Sequence, residues 1–134
     1  MRLDARAKAR LALRIWRSYA RVKRGLAGTP LPRLAHDLAR VDAFAPPLRP
    51  RHLGLAVDRA LHLGPFRPRC LTSSLVLFRL LREQGAAAEL VIGLHDEARD
   101  HEAHAWVEIE GADVGPPPGK GGHVELVRYP LQSA

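Results

Sequence analysis

At Gly85 the hydrophobic pattern of this chain changes its period, and that change narrows the folds open to it. Upstream, apolar residues recur at helical spacing. Asp4 is a natural N-cap for a first helix from about residue 5 to 25, ending at Gly25 or Gly28, with Leu11, Ile15, Tyr19 and Val22 on one stripe. "TPLPRLAHDLARVDAF" predicts a second helix with Leu34, Leu38 and Val41 on one face, and "APPLRP" breaks it. A third helix, about 50 to 63, carries Leu53, Val57, Ala60 and Leu61, and "GPFRPR" ends it. The fourth, about 70 to 84, has Leu71, Leu75, Leu77, Phe78, Leu80 and Leu81 on more than one face, the pattern of a central helix.

Downstream of Gly85 the period is that of strands. "AAAELVIGLH" and "AHAWVEIEG" read as two of them, the second alternating cleanly from 103 to 109. With Glu110-Gly111 as a two-residue turn, "ADVG" completes a hairpin that pairs Ile109 with Ala112 and Glu108 with Asp113. "PPPGKGG" is loop and "HVELVRY" a last strand. Helices first and strands later predict an α+β fold. At 134 residues the chain fits one compact domain, a helical N-terminal region (1–66) joined to a core (67–134).

The lone cysteine excludes an internal disulfide, and no apolar run approaches the roughly 20 residues of a membrane span. Arginines interrupt the apolar positions of "MRLDARAKARLALRIW", which therefore lacks a secretion signal's hydrophobic segment; the expected compartment is the cytoplasm. The net charge of +7 is concentrated early, in Arg2, Arg6, Lys8, Arg10, Arg14, Arg17, Arg21, Lys23 and Arg24. Such a helix suits an acidic peptide, an anionic membrane or nucleic acid, or is simply a solvated face.

Cys70 opens the fourth helix, where free amides and the helix dipole favour a thiolate, and Arg69 adds positive potential. Nucleophilic chemistry then needs a base, and His104, early on a following strand, is the best placed. The competing reading is a buried, inert thiol. Alternation puts His104, Trp106 and Glu108 on one strand face and Ala103, Ala105, Val107 and Ile109 on the other; Trp106 is read as packing that walls the site. "HDEARDHEAHAW" invites a metal site from Cys70, His101 and His104, but its histidines lack the H-E-x-x-H helical order. The "TSS" of Thr72, Ser73 and Ser74 sits in a first turn, where hydroxyls cap free amides; no strained-elbow motif supports a serine nucleophile. "PPPGKGG" lacks the order of a phosphate-binding loop.

"RCLTSSLVLFRLLREQGAAAELVIGL" followed by "AHAWVEIEG" resembles the transglutaminase-like core of the leader peptidases of lasso-peptide biosynthesis, over residues 67–114. The resemblance implies a papain-like cysteine peptidase that removes the leader from a ribosomally made precursor, with Cys70 as nucleophile and His104 as general base. It implies no cofactor. Its implied partners are the precursor leader peptide, a leader-recognition protein and a macrolactam cyclase. In that family an aspartate follows "HAW" by about a dozen positions, where this chain reads "GADVGPPPG", with Gly115 and Pro116 near the expected place. The hairpin register puts Asp113 about four residues, or roughly 13 Å, along the strand from His104. Glu125 and His123 on the last strand are the other candidates. Loss of an orienting acid slows a triad enzyme by about 10⁴-fold, so the rival reading is an inactive relative that binds a peptide or partner.

Overall fold

The computed structural model describes residues 4–62, 70–95, 103–115 and 123–130. It is α+β, as the change of period predicts. Four helices, α1 (Ala5–Gly28), α2 (Leu31–Ala39), α3 (Pro50–Leu61) and α4 (Cys70–Glu83), precede four strands, β1 (Ala88–His95), β2 (Ala103–Ile109), β3 (Ala112–Gly115) and β4 (His123–Tyr129).

Local chemistry sets the ends. The Asp4 carboxylate accepts from the Ala7 amide at 2.7 Å, capping α1. α1 runs through Gly25 to the later of its two glycine stops. α4 ends in a Schellman arrangement: Gly85 takes φ +84°, its amide donates to Arg82 and the Ala86 amide to Leu81. A side chain at Gly85 would be strained in that conformation, which is why the helix stops there.

α2 is shorter than its periodicity predicts, stopping at Ala39 and leaving Val41 outside. The chain has a better use for the next residues. The amides of Phe44 and Ala45 both donate to the Glu83 carbonyl, at 2.8 and 3.0 Å, so this segment satisfies the open C-terminal end of α4 instead of extending α2.

α4 is the central element, packing against α1, α2, α3, β1 and β2. Leu75, Leu77, Phe78, Leu80 and Leu81 are fully buried, each contributing roughly 1.5–3 kcal/mol by leaving water. Two of its three charged residues, Arg79 and Glu83, are buried as a pair at 3.1 Å. Arg14 of α1 reaches the other oxygen of Glu83, also at 3.1 Å. One apolar cluster runs from Ile15 and Val22 through α4 to Leu90, Ile92 and Val107 of the sheet.

The sheet is antiparallel with order β3-β2-β1-β4, so the last strand returns to pair with the first. The β2–β3 hairpin has the expected pairs, Ile109 with Ala112 and Glu108 with Asp113. Its turn residues Glu110 and Gly111 both have positive φ, +51° and +81°, the signature of a type I′ turn. Ala105, Val107 and Ile109 face the helices. Val91 and Trp106 are buried outside that cluster, on the opposite sheet face.

Candidate active site

Cys70 is the first residue of α4 and its thiol is exposed, which removes the buried-filler reading. A cysteine in a helix's first turn lies among amides that have no helical acceptor, in the positive end of the dipole. Arg69 lies outside the described residues.

What places this turn is the residue one turn further on. Ser74 is buried, and its hydroxyl donates to the Ala105 carbonyl of β2 at 2.9 Å. Sequence alone reads the hydroxyls of 72–74 as caps for their own helix; Ser74 instead crosses to the sheet. Residues four apart share a helix face, so the face that meets β2 at Ser74 also carries Cys70, about 5.4 Å nearer the helix start. Ala105 is the neighbour of His104. The Cys70 turn and the His104 end of β2 therefore lie at the same end of the helix–sheet contact. β3 pairs only with Val107–Ile109, so β2 between Ala103 and Trp106 is left to β1 on one side and to α4 through Ser74.

His104 itself is half-buried. It belongs with Trp106 and Glu108 to the sheet face opposite the one α4 covers, as alternation predicts, so the Ser74 contact aligns the Cys70 turn with the His104 end of β2 without itself joining imidazole to thiol. Across β1 its partner is Gly93, and Gly93 also pairs with Glu125 of β4. His104, Gly93 and Glu125 thus form one row across three strands. The missing side chain at Gly93 is filled by Trp106: a Cβ there would stand 2.9 Å from Cη2 of its indole and 2.5 Å from the Val124 carbonyl. Trp106 is therefore a wall over Gly93, the strand position between His104 and Glu125 in that row.

Behind that wall is a charge cluster that sequence reasoning missed. The Trp106 indole N–H donates to Glu108 Oε2 at 2.7 Å. Glu108, Glu89 and Glu125 converge on Arg128, at 2.9, 3.1 and 2.6 Å. The hydrogen bond to Glu125, with that to Glu108, raises the Arg128 pKa above its ordinary value despite partial burial. The one available signal was polar residues at alternate positions of the strands, Glu89, Glu108 and Arg128, facing the same way.

The candidates for third residue are placed as follows. Asp113 is buried opposite Glu108, four residues along from His104, and its Oδ1 accepts the Gly115 amide at 2.9 Å. Glu125 shares the His104 row, but its carboxylate is engaged by Arg128 through two hydrogen bonds, at 2.6 and 3.3 Å. His123 heads β4, paired with His95 of β1. Pro116 and the metal candidate His101 lie outside the described residues. Among the described residues no group of three His, Cys, Asp or Glu side chains is arranged to hold a metal ion, and no helix is long and apolar enough to cross a membrane.

A family model of the transglutaminase-like superfamily matches residues 3–126, nearly the whole chain. No curated protein and no solved structure matches it. The chain belongs to the transglutaminase-like superfamily.

Proposed function

We propose that this transglutaminase-like chain is a cytoplasmic cysteine peptidase that removes the leader from a ribosomally synthesised, lasso-type precursor peptide. The superfamily includes cysteine peptidases, and the residue-level support is the Ser74–Ala105 bond, which brings the Cys70 turn to the His104 end of β2. The narrower assignment to leader removal rests on the run from "RCLTSS" to "HAWVE".

The chemistry follows from the two groups. His104 takes the Cys70 proton as the sulfur attacks the scissile carbonyl carbon, and the carbonyl π electrons move to oxygen. Backbone amides of the first turn of α4 donate to that oxyanion. Collapse expels the leaving amine, which receives the proton from His104, and leaves a thioester on Cys70. Water, deprotonated by His104, then attacks the thioester; the acid is released and the thiol restored. Trp106 walls the histidine side. A leader-recognition protein and a macrolactam cyclase are the proposed partners, delivering the precursor and using its freed amine.

The second reading is a peptide-binding module without hydrolysis. It is favoured by Asp113 being held at the hairpin and Glu125 being held by Arg128. Incubation with precursor and the recognition protein separates the two. Hydrolysis by the intact chain that Cys70→Ala and His104→Ala each abolish supports the peptidase. Equal precursor binding by the intact chain and Cys70→Ala, with no cleavage by either, supports the module.

A further inference from the structure

α1 carries no aspartate or glutamate from Ala5 to Gly28, yet holds Arg6, Lys8, Arg10, Arg14, Arg17, Arg21, Lys23 and Arg24. Among the described residues, only Arg14 of these has a carboxylate partner, Glu83. A solvated helix face ordinarily mixes signs, because opposite charges one turn apart stabilise it and like charges do the reverse. Here Arg6–Arg10, Arg10–Arg14 and Arg17–Arg21 are all like-charge neighbours one turn apart.

The arrangement is as telling as the count. At 3.6 residues per turn, Arg6, Arg10, Arg17, Arg21 and Arg24 fall within about 60° of arc, roughly opposite the buried Ile15 and Val22. All five are exposed. They form one row about 27 Å long at 1.5 Å per residue. The lysines lie off this row; the row itself is all guanidinium, the group whose planar fork matches carboxylates in pairs. Leu13 lies between Arg10 and Arg17 along the helix, about 20° outside the arc of the row, and is 50% exposed; Trp16, about 60° further round toward α3, is 43% exposed with its indole N–H on the Ala60 carbonyl. An apolar and aromatic border beside a row of arginines is the composition of a protein interface.

We propose that the outer face of α1 docks an acidic, leucine-bearing helical segment of another protein. Its carboxylates pair with the arginine row and its leucines cover Leu13 and Trp16. A nucleic acid would use the row but gives Leu13 no partner. A membrane surface needs a broad apolar face, and that of α1 is spent on the core.

The test uses the full chain and a fluorescein-labelled helical peptide with glutamates one turn apart on either side of leucines. Its glutamine counterpart and a duplex DNA serve as competitors. Binding read by anisotropy should be weakened about tenfold or more by R10E/R17E/R21E, with helix content unchanged by circular dichroism. Leu13→Ser should weaken it about fivefold. R33E/R40E/R49E, the same charge change on other exposed arginines, should cost far less. Three results would each overturn the proposal: equal losses from the two triple variants, tighter binding of the duplex than of the peptide, or indifference to Leu13→Ser.

Discussion

The Ser74 hydroxyl donates to the Ala105 carbonyl at 2.9 Å, and this bond ties the helix turn carrying Cys70 to the strand end carrying His104. Apolar burial holds helix against sheet without direction. A directional hydrogen bond from a buried donor fixes the register of helix on strand.

Ser74→Ala should therefore affect both stability and activity. It leaves the Ala105 carbonyl without this donor in a part-buried contact, which costs about 1 kcal/mol or somewhat more. Urea unfolding should show a lower midpoint at unchanged slope. On the proposed peptidase function, precursor cleavage measured where the variant is fully folded should fall further, in kcat more than in KM, because a slipped Cys70 turn would misplace the proposed nucleophile without altering leader binding. Unchanged kcat in a folded variant would mean the bond does not set the site.

The row across Gly93 makes a contrast with Gly25. At Gly93 a methyl group would meet the Val124 carbonyl at 2.5 Å and Trp106 at 2.9 Å, and a strand carbonyl cannot step aside. Gly93→Ala should destabilise by about 1–3 kcal/mol or more and disturb the Trp106 wall, seen as a shift in tryptophan emission. At Gly25 the nearest atom is the flexible end of Leu34, a methyl that can rotate away. Gly25→Ala in a helix interior recovers up to about 1 kcal/mol of propensity and should come out near neutral. The two thermal midpoints decide it.

The class of fold was legible because it depends on periodicity, and periodicity is local. The boundary at Gly85, the Glu110-Gly111 turn and the pairing of Glu108 with Asp113 all follow from residues within a few positions of one another. The α2 end was not legible, since what stops it is the Glu83 carbonyl, more than forty residues ahead, claiming the amides of Phe44 and Ala45. Cys70 and His104 were identifiable as candidates for chemistry. That Ser74 joins their elements was not: nothing in "TSS" distinguishes a hydroxyl that caps its helix from one that crosses to a strand. The Arg128 cluster was hidden for the same reason, because strand order β3-β2-β1-β4 decides that Glu89, Glu108 and Glu125 meet one guanidinium.

The buried Glu83 holds Arg79 and Arg14 together, each at 3.1 Å. Glu83→Leu removes the only carboxylate that the two guanidinium groups share in this contact. Breaking a buried pair from one side costs about 3–5 kcal/mol, since the remaining charge stays out of water. Arg14 keeps some solvent contact, so most of the loss comes from Arg79. The double variant Arg79→Met/Glu83→Leu should regain a large part of it, because an apolar pair fills the same space with no stranded charge. A double variant as unstable as the single would assign the cost to shape instead.

Arg128 joins three carboxylates, Glu89 having Arg82 nearby as well, and its removal has a definite sign in pH. In the intact protein its pKa is raised above the ordinary arginine value, chiefly by Glu125. A raised basic pKa gives stability that is fully present below the unfolded value and lost only as pH climbs past it, so this pairing contributes no slope between pH ~5 and ~9. Arg128→Met removes one shared guanidinium from Glu89, Glu108 and Glu125 at once; Glu89 keeps Arg82 nearby, while Glu108 is buried with the Trp106 indole N–H. Repulsion among the three carboxylates and the burial of Glu108 then favour the protonated folded variant over the ionised one. Its stability should be highest in acid and should fall as pH rises through the unfolded carboxylate range, about 4, and above it. Relative to the intact protein the loss at neutral pH should be on the order of 2 kcal/mol, below that of a fully buried pair because Arg128 is partly solvated. Chemical denaturation across pH ~4 to ~8 reads this directly. A constant difference between variant and intact protein across that range would mean the three carboxylates do not feel one another, and the cluster is three separate surface contacts.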